Sequence, residues 1–153
     1  MPNLFALLVG VTHCHADSNV ASLSGCINDV SSLENYLNNR FSETQRSVVK
    51  LLNEQATREA VIQQFIDLFI RNPKIGKDDT VLFYFSGHGS SCRMNPAFEQ
   101  FDPEKEGTLV LYDMRCKGKF DLADICMLDE KSFLQDLQLL QAHFQERERL
   151  IAQ

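Results

Sequence analysis

Two stretches of almost unbroken apolar sequence stand out along the chain: Leu4–Val11, interrupted only by Gly10, and Val81–Phe85. A short apolar run without polar alternation reads as a strand covered on both faces, as in a parallel sheet between helices. Ser47–Leu52 reads as a further strand. Between these runs the period changes. Ile27, Val30, Leu33 and Leu37 recur at steps of three and four, which predicts an amphipathic helix over Asn28 to Asn38. Thr57 is placed to cap a second helix that turns Val61, Ile62, Phe65, Leu68 and Phe69 inward and is stopped by Pro73. The order is β-α-β-α-β with connections of parallel-crossover length. Val81, Phe83 and Phe85 should then be almost fully buried, along with Leu7 and Val9 of the first strand.

Beyond Ser90 the pattern loosens. Residues 91 to 107 are polar, with Asn95-Pro96 and Asp102-Pro103 as turn signals. Thr108–Tyr112 reads as a short strand, half of a hairpin at the rim of the sheet. Asp129 is placed to cap a third helix carrying Phe133, Leu134, Leu137, Leu140 and Phe144, and Arg149–Gln153 looks like a fourth strand beginning. The expectation is one α/β domain over residues 1–153: a three-layer α/β/α sandwich with a mostly parallel sheet of order 2-1-3-4, incomplete at the C-terminus. A fourth strand left as an unpaired edge is a pairing liability. Such a piece is expected to need its own C-terminal segment, a second copy or a partner chain to complete the sheet.

Composition narrows the class. With 15 basic and 21 acidic side chains the net charge is −6, without the basic footprint of a nucleic-acid binder. The five cysteines, Cys14, Cys26, Cys92, Cys116 and Cys126, form no Cys-x-x-Cys pair and suggest neither a zinc site nor a disulfide framework. The N-terminus carries no basic segment, and Leu4–Val11 is too short for a signal peptide or a membrane span. The expected setting is reducing and cytoplasmic, with no membrane partner. His13 and His15 flank Cys14 in the polar segment Thr12–Gly25, but no second ligand group stands at usable spacing, so this segment reads as a loop and not a metal site.

The candidate chemistry sits where the first and third strands end. His88 lies between Gly87 and Gly89 immediately after the apolar run, at the carboxyl end of a central strand, where open α/β sheets place their ligands. Leu23–Asp29 lies at the same edge, between the first strand and its helix. Neighbouring first and third strands would let Cys26, Asp29 and Ser86 line one crevice. On spacing alone, an Asp at a helix start is better read as a cap that suits the helix dipole.

Taken in order, FALLVGV, LSGCINDV, ATREAVIQQF, DDTVLFYFSGHGS and GTLVLYD, followed by a helix, resemble the caspase-like cysteine peptidases, and the metacaspase branch in particular. The resemblance runs from Leu4 to about Leu140. It implies a cysteine-type endopeptidase, a hydrolase acting on peptide or protein substrates. His88 matches the catalytic histidine, and Gly89 matches the residue whose backbone N–H helps hold the oxyanion. Cys26, Asp29 and Ser86 match residues lining the S1 pocket, which implies cleavage after Arg or Lys. The family's nucleophile lies in an Asp-x-Cys-His-Ser-Gly-like stretch, and none of the five cysteines matches it. Cys92, four residues after His88, lies on the same departing loop. The chain is therefore expected to end before the nucleophile and to be inactive alone. Calcium binding, known in the family, would draw on Asp102, Glu104, Glu106 and Asp113, yet this acidic text departs from the usual pattern and reads as a solvated loop; no cofactor is expected. Two other readings remain: a non-catalytic caspase-like interaction module, and a flavodoxin-like binder, which lacks a phosphate-cradling glycine loop after the first strand.

Overall fold

The computed structural model describes residues 3–92 and 106–114. Its centre is β1 (Leu4–Gly10), which lies between β2 (Arg46–Leu52) and β3 (Thr80–Ser86), parallel to both. All seven residues of β1 are buried. Successive side chains of a strand point to opposite faces, and here both faces are covered. Leu4, Ala6 and Leu8 pack with Val30 and Leu37 of α1 (Cys26–Arg40). Phe5, Leu7 and Val9 pack with Val61, Leu68 and Phe69 on the other side. Val61 comes from α2 (Arg58–Phe65), and Leu68 and Phe69 from the π-helical turn Ile66–Ile70 that continues it. This is the α/β arrangement that the unbroken apolar run predicts, with β2-β1-β3 as the observed strand order.

Local chemistry sets the element ends. Thr57 Oγ1 accepts the Ala60 N–H at 3.2 Å, so the predicted cap of α2 is in place. Asp79 ties the start of β3 to the start of β1, accepting from the backbone N–H groups of Gly76 at 2.8 Å and Asn3 at 2.7 Å. These bonds, the Gly76 one foremost, hold its carboxyl below the ordinary aspartate value. The first helix starts at Cys26, two residues before the predicted Asn28, and runs to Arg40, two residues past the predicted Asn38.

Several expectations need correction. Val81 and Phe83 are 48% and 38% exposed, and Phe85 is only partly buried, so β3 is not covered on both faces as Val81–Phe85 suggested. Among the described residues β3 is an edge strand, and Phe65 of α2 comes edge-on to its Phe83, ring centroids 6.0 Å apart. Ile62 and Phe65, expected to face inward, are exposed. An apolar run records that a strand tolerates no polar side chains; it does not record which neighbour covers it. The strand expected over Thr108–Tyr112 is β5 (Glu106–Leu109), and it does form a hairpin, pairing antiparallel with β4 (Gly89–Cys92). The segment after His88 is therefore a strand, with Cys92 opposite Glu106, and not a departing loop. The third helix and fourth strand read from residues 129–153 lie outside the described residues.

Burial predicts an asymmetry between β1 and β3. Leu7→Ala should cost about 2–5 kcal/mol in urea denaturation, and Phe83→Ala clearly less than the 3–5 kcal/mol of a fully buried Phe, because only part of its ring leaves water. Equal losses at the two positions would contradict the exposed edge.

Candidate functional site

In the parallel registers, Gly10 stands level with Leu52 on one side and Ser86 on the other, so the three strands end together. The segments that follow them, 11–25, 53–57 and 87–92, emerge at one carboxyl edge. Gly10 lets the first helix begin hard against that edge. A Cβ there would come within 2.9 Å of Val30 Cγ2, 3.1 Å of Leu52 Cδ2 and 3.4 Å of the Cys26 carbonyl oxygen. At Gly87 a Cβ would meet the Phe85 ring at 2.6 Å, so a side chain there would have to displace that ring.

Asp29 and Ser86 come together across this edge. Ser86 Oγ donates to Asp29 Oδ2 at 2.9 Å, joining residues 57 positions apart. Asp29 lies in the first turn of α1, but Gly25 is the N-cap residue and the helix has no side-chain cap bond. The carboxylate is turned toward the end of β3, and it is exposed. Cys26 is the first residue of α1 and is buried, 4% exposed. Its thiol is part of the packing beneath the edge and not of its surface.

His88 is held from two sides. Its backbone carbonyl accepts the Val110 N–H at 2.9 Å, and its ring Nε2 lies 2.7 Å from the backbone oxygen of Ala21. A carbonyl oxygen only accepts, so Nε2 carries the proton, and in the neutral ring Nδ1 is left with the lone pair. That fixes the tautomer: an oriented imidazole whose Nδ1 is able to take and return a proton. Among the described residues nothing engages Nδ1. Gly89 follows as the first residue of β4, opposite Leu109.

The segment 11–25 that brings Ala21 to His88 is itself pinned. Val11 N–H donates to the Ser86 carbonyl at 2.9 Å, Thr12 N–H to Asn53 Oδ1 at 2.9 Å and His15 N–H to the Tyr112 carbonyl at 2.8 Å. Asn53 sits at φ 46°, a left-handed conformation that Asn tolerates better than most residues. His13 Nε2 meets Glu54 Oε1 at 2.8 Å, and this bond is the largest cause holding the Glu54 carboxyl below its ordinary value. Ala21 was missed by reasoning from sequence because its contribution is a backbone oxygen, for which no side-chain signal exists. The role of Asn53 had a signal, an Asn directly after a strand.

A calcium site finds no support in the one expected ligand whose side chain is described. Asp113 Oδ1 accepts the Arg58 N–H at 2.8 Å and so serves the start of α2. Asp102 and Glu104 lie outside the described residues. Among the described residues no three His, Cys, Asp or Glu side chains are grouped to hold a metal ion, and no helix is long and apolar enough to cross a membrane.

Comparison with known proteins identifies the family. A family model described as the metacaspase, peptidase C14 domain matches residues 5–140. Metacaspase-1 of Meyerozyma guilliermondii is 29% identical over 89 residues, covering 55% of this chain and 20% of that protein. Metacaspase-1 of Debaryomyces hansenii is 31% identical over 90 residues, covering 55% and 19%. Metacaspase-1 of Eremothecium gossypii is 27% identical over 121 residues, covering 76% and 25%. The matched region thus spans only about a fifth to a quarter of each of these relatives.

If the Asp29–Ser86 bond belongs to a solvent-facing site and not to the scaffold, Ser86→Ala should lower stability by no more than about 1 kcal/mol, the net worth of an ordinary hydrogen bond. Urea denaturation measures this, and a loss of several kcal/mol would make the pair a structural tie.

Proposed function

Because this chain belongs to the metacaspase family of caspase-like cysteine peptidases, we propose that it supplies the histidine half of a cysteine endopeptidase site, with His88 as general acid and base. The observation that carries this is the Ala21 oxygen on His88 Nε2. It orients the imidazole and leaves Nδ1 to accept a thiol proton and deliver it to the leaving amine. Gly89 N–H contributes to stabilising the tetrahedral oxyanion. Asp29 and Ser86 form the wall of the pocket for the residue before the scissile bond, and Cys26, buried at the start of α1, supports that wall from beneath. In this reading the Asp29 carboxylate, positioned by Ser86, pairs with an Arg or Lys side chain through a charge-assisted bond, so cleavage follows basic residues.

In this reading none of the five cysteines is the nucleophile, since none stands in an Asp-x-Cys-His-Ser-Gly stretch. Cys14 is partly buried against the core beside β1, Cys26 is buried at the start of α1 and Cys92 lies on β4; Cys116 and Cys126 lie outside the described residues, and their sequence context does not match the nucleophile stretch. Alone, the chain does not turn over peptides. A second reading, a non-catalytic interaction module, draws on the exposed Val81 and Phe83 at the margin of β3. Both readings meet in one assay, on fluorogenic peptides with Arg, Lys or Asp before the reporter. Joined to a metacaspase C-terminal segment carrying the Asp-x-Cys-His-Ser-Gly stretch, the chain should cleave after Arg and Lys and not after Asp. His88→Ala should abolish turnover, and Asp29→Ala should remove most cleavage after basic residues. A joined protein that folds but stays inactive would favour the module, and turnover that survives His88→Ala would refute the proposed role of His88.

A further inference from the structure

The sequence His13-Cys14-His15 plays no part in the proposed chemistry, yet it lies on the segment that reaches His88. A short chain of hydrogen bonds connects the two places. Glu54 Oε1 meets His13 Nε2 at 2.8 Å. The residue next to His13, Thr12, accepts the Leu23 N–H on its carbonyl at 2.7 Å. Two residues before Leu23, the Ala21 oxygen lies 2.7 Å from His88 Nε2. The far side of the same turn is braced by Tyr112. The His13 and His15 rings stand edge-on to it at 6.2 Å and 6.0 Å, while its carbonyl accepts the His15 N–H.

We infer that His13, through its contact with Glu54, is a positioning residue for His88, setting the turn whose Ala21 carbonyl orients the imidazole. This rests on the reading of His88 as the acid and base. Without His13, the Thr12 N–H keeps its bond to Asn53 Oδ1, but the turn loses its second tie to residues 53–57, the His13–Glu54 contact. The contacts made by the Leu23 N–H and the Ala21 carbonyl then hang from a looser anchor. His13 is half-buried and Glu54 exposed, with 43% and 63% of their side chains open to solvent, so the fold survives their loss and the effect is a change of degree at His88.

The experiment is long-range 1H–15N spectroscopy of the imidazoles in the full chain, at about pH 7.5, where an ordinary imidazole is neutral. Wild-type His88 should show the Nε2–H tautomer with a proton protected from solvent. His13→Ala should speed exchange of that proton by about two- to fivefold, the scale on which an exposed pair acts. Glu54→Ala should do the same, and the double variant should go no further than either alone. His13→Gln, which keeps an N–H toward Glu54, should restore most of the protection. Unchanged exchange in both single variants, beside a protected wild-type proton, would overturn the role of His13 while leaving that of His88 intact. A wild-type His88 lacking the Nε2–H tautomer would instead remove the Ala21 contact and the oriented imidazole together.

Discussion

Everything at the candidate site depends on the burial of β1 between two parallel neighbours. Its seven residues are shielded on both faces by α1 and by α2 with its π-helical continuation. A strand buried on both faces has its register strongly specified, because a one-residue slip would exchange the side chains meant for the two cores. The register in turn sets Gly10, Leu52 and Ser86 level with one another. Once those ends are level, α1 and the segments after all three strands meet at one edge. Asp29, Ser86 and His88 owe their proximity to that alignment.

The site adds two choices to this scaffold. Asp29 has a reason to stay in the first turn of α1 whatever else it does, since a carboxylate there suits the positive end of the helix dipole. Its side chain nevertheless accepts from Ser86 and makes no cap bond, so the dipole and the crevice are served from one position. His88 is oriented by a backbone oxygen in place of a carboxylate. A neutral acceptor fixes the tautomer but stabilises the imidazolium less than a charge would. This makes the placement of the 11–25 segment, pinned by Asn53, Tyr112 and Glu54, more consequential than its exposed and polar sequence suggests.

Much of this was legible in the sequence, and the failures have physical causes. The β-α-β-α-β order, the Thr57 cap and the burial of Leu7 and Val9 follow from period and cap chemistry, which are local. The placement of Ser86 and Asp29 at one edge follows from topology. Phe83 was misjudged because exposure at an edge strand depends on what lies beside it, which composition does not encode. The strand Gly89–Cys92 was missed because Gly-Ser-Ser-Cys has no β-branched or aromatic residue and no apolar alternation, and its pairing with Glu106–Leu109 makes it a strand. Ala21 acts through its backbone and left no trace, and the His13–Glu54 contact joins residues 41 apart in sequence.

The central claim is that the shared carboxyl edge of β1 and β3 forms a pocket for a basic side chain beside an oriented histidine. The most direct test needs no catalysis: titrating the 15N-labelled chain with short peptides ending in Arg or in Asp, and following backbone amide shifts. The account predicts that the Arg peptide moves Asp29, Ser86, His88 and Gly89 as one saturable group, that the Asp peptide does not, and that Asp29→Ala abolishes the response. Equal responses to the two peptides, or an Arg response centred away from this edge, would contradict it.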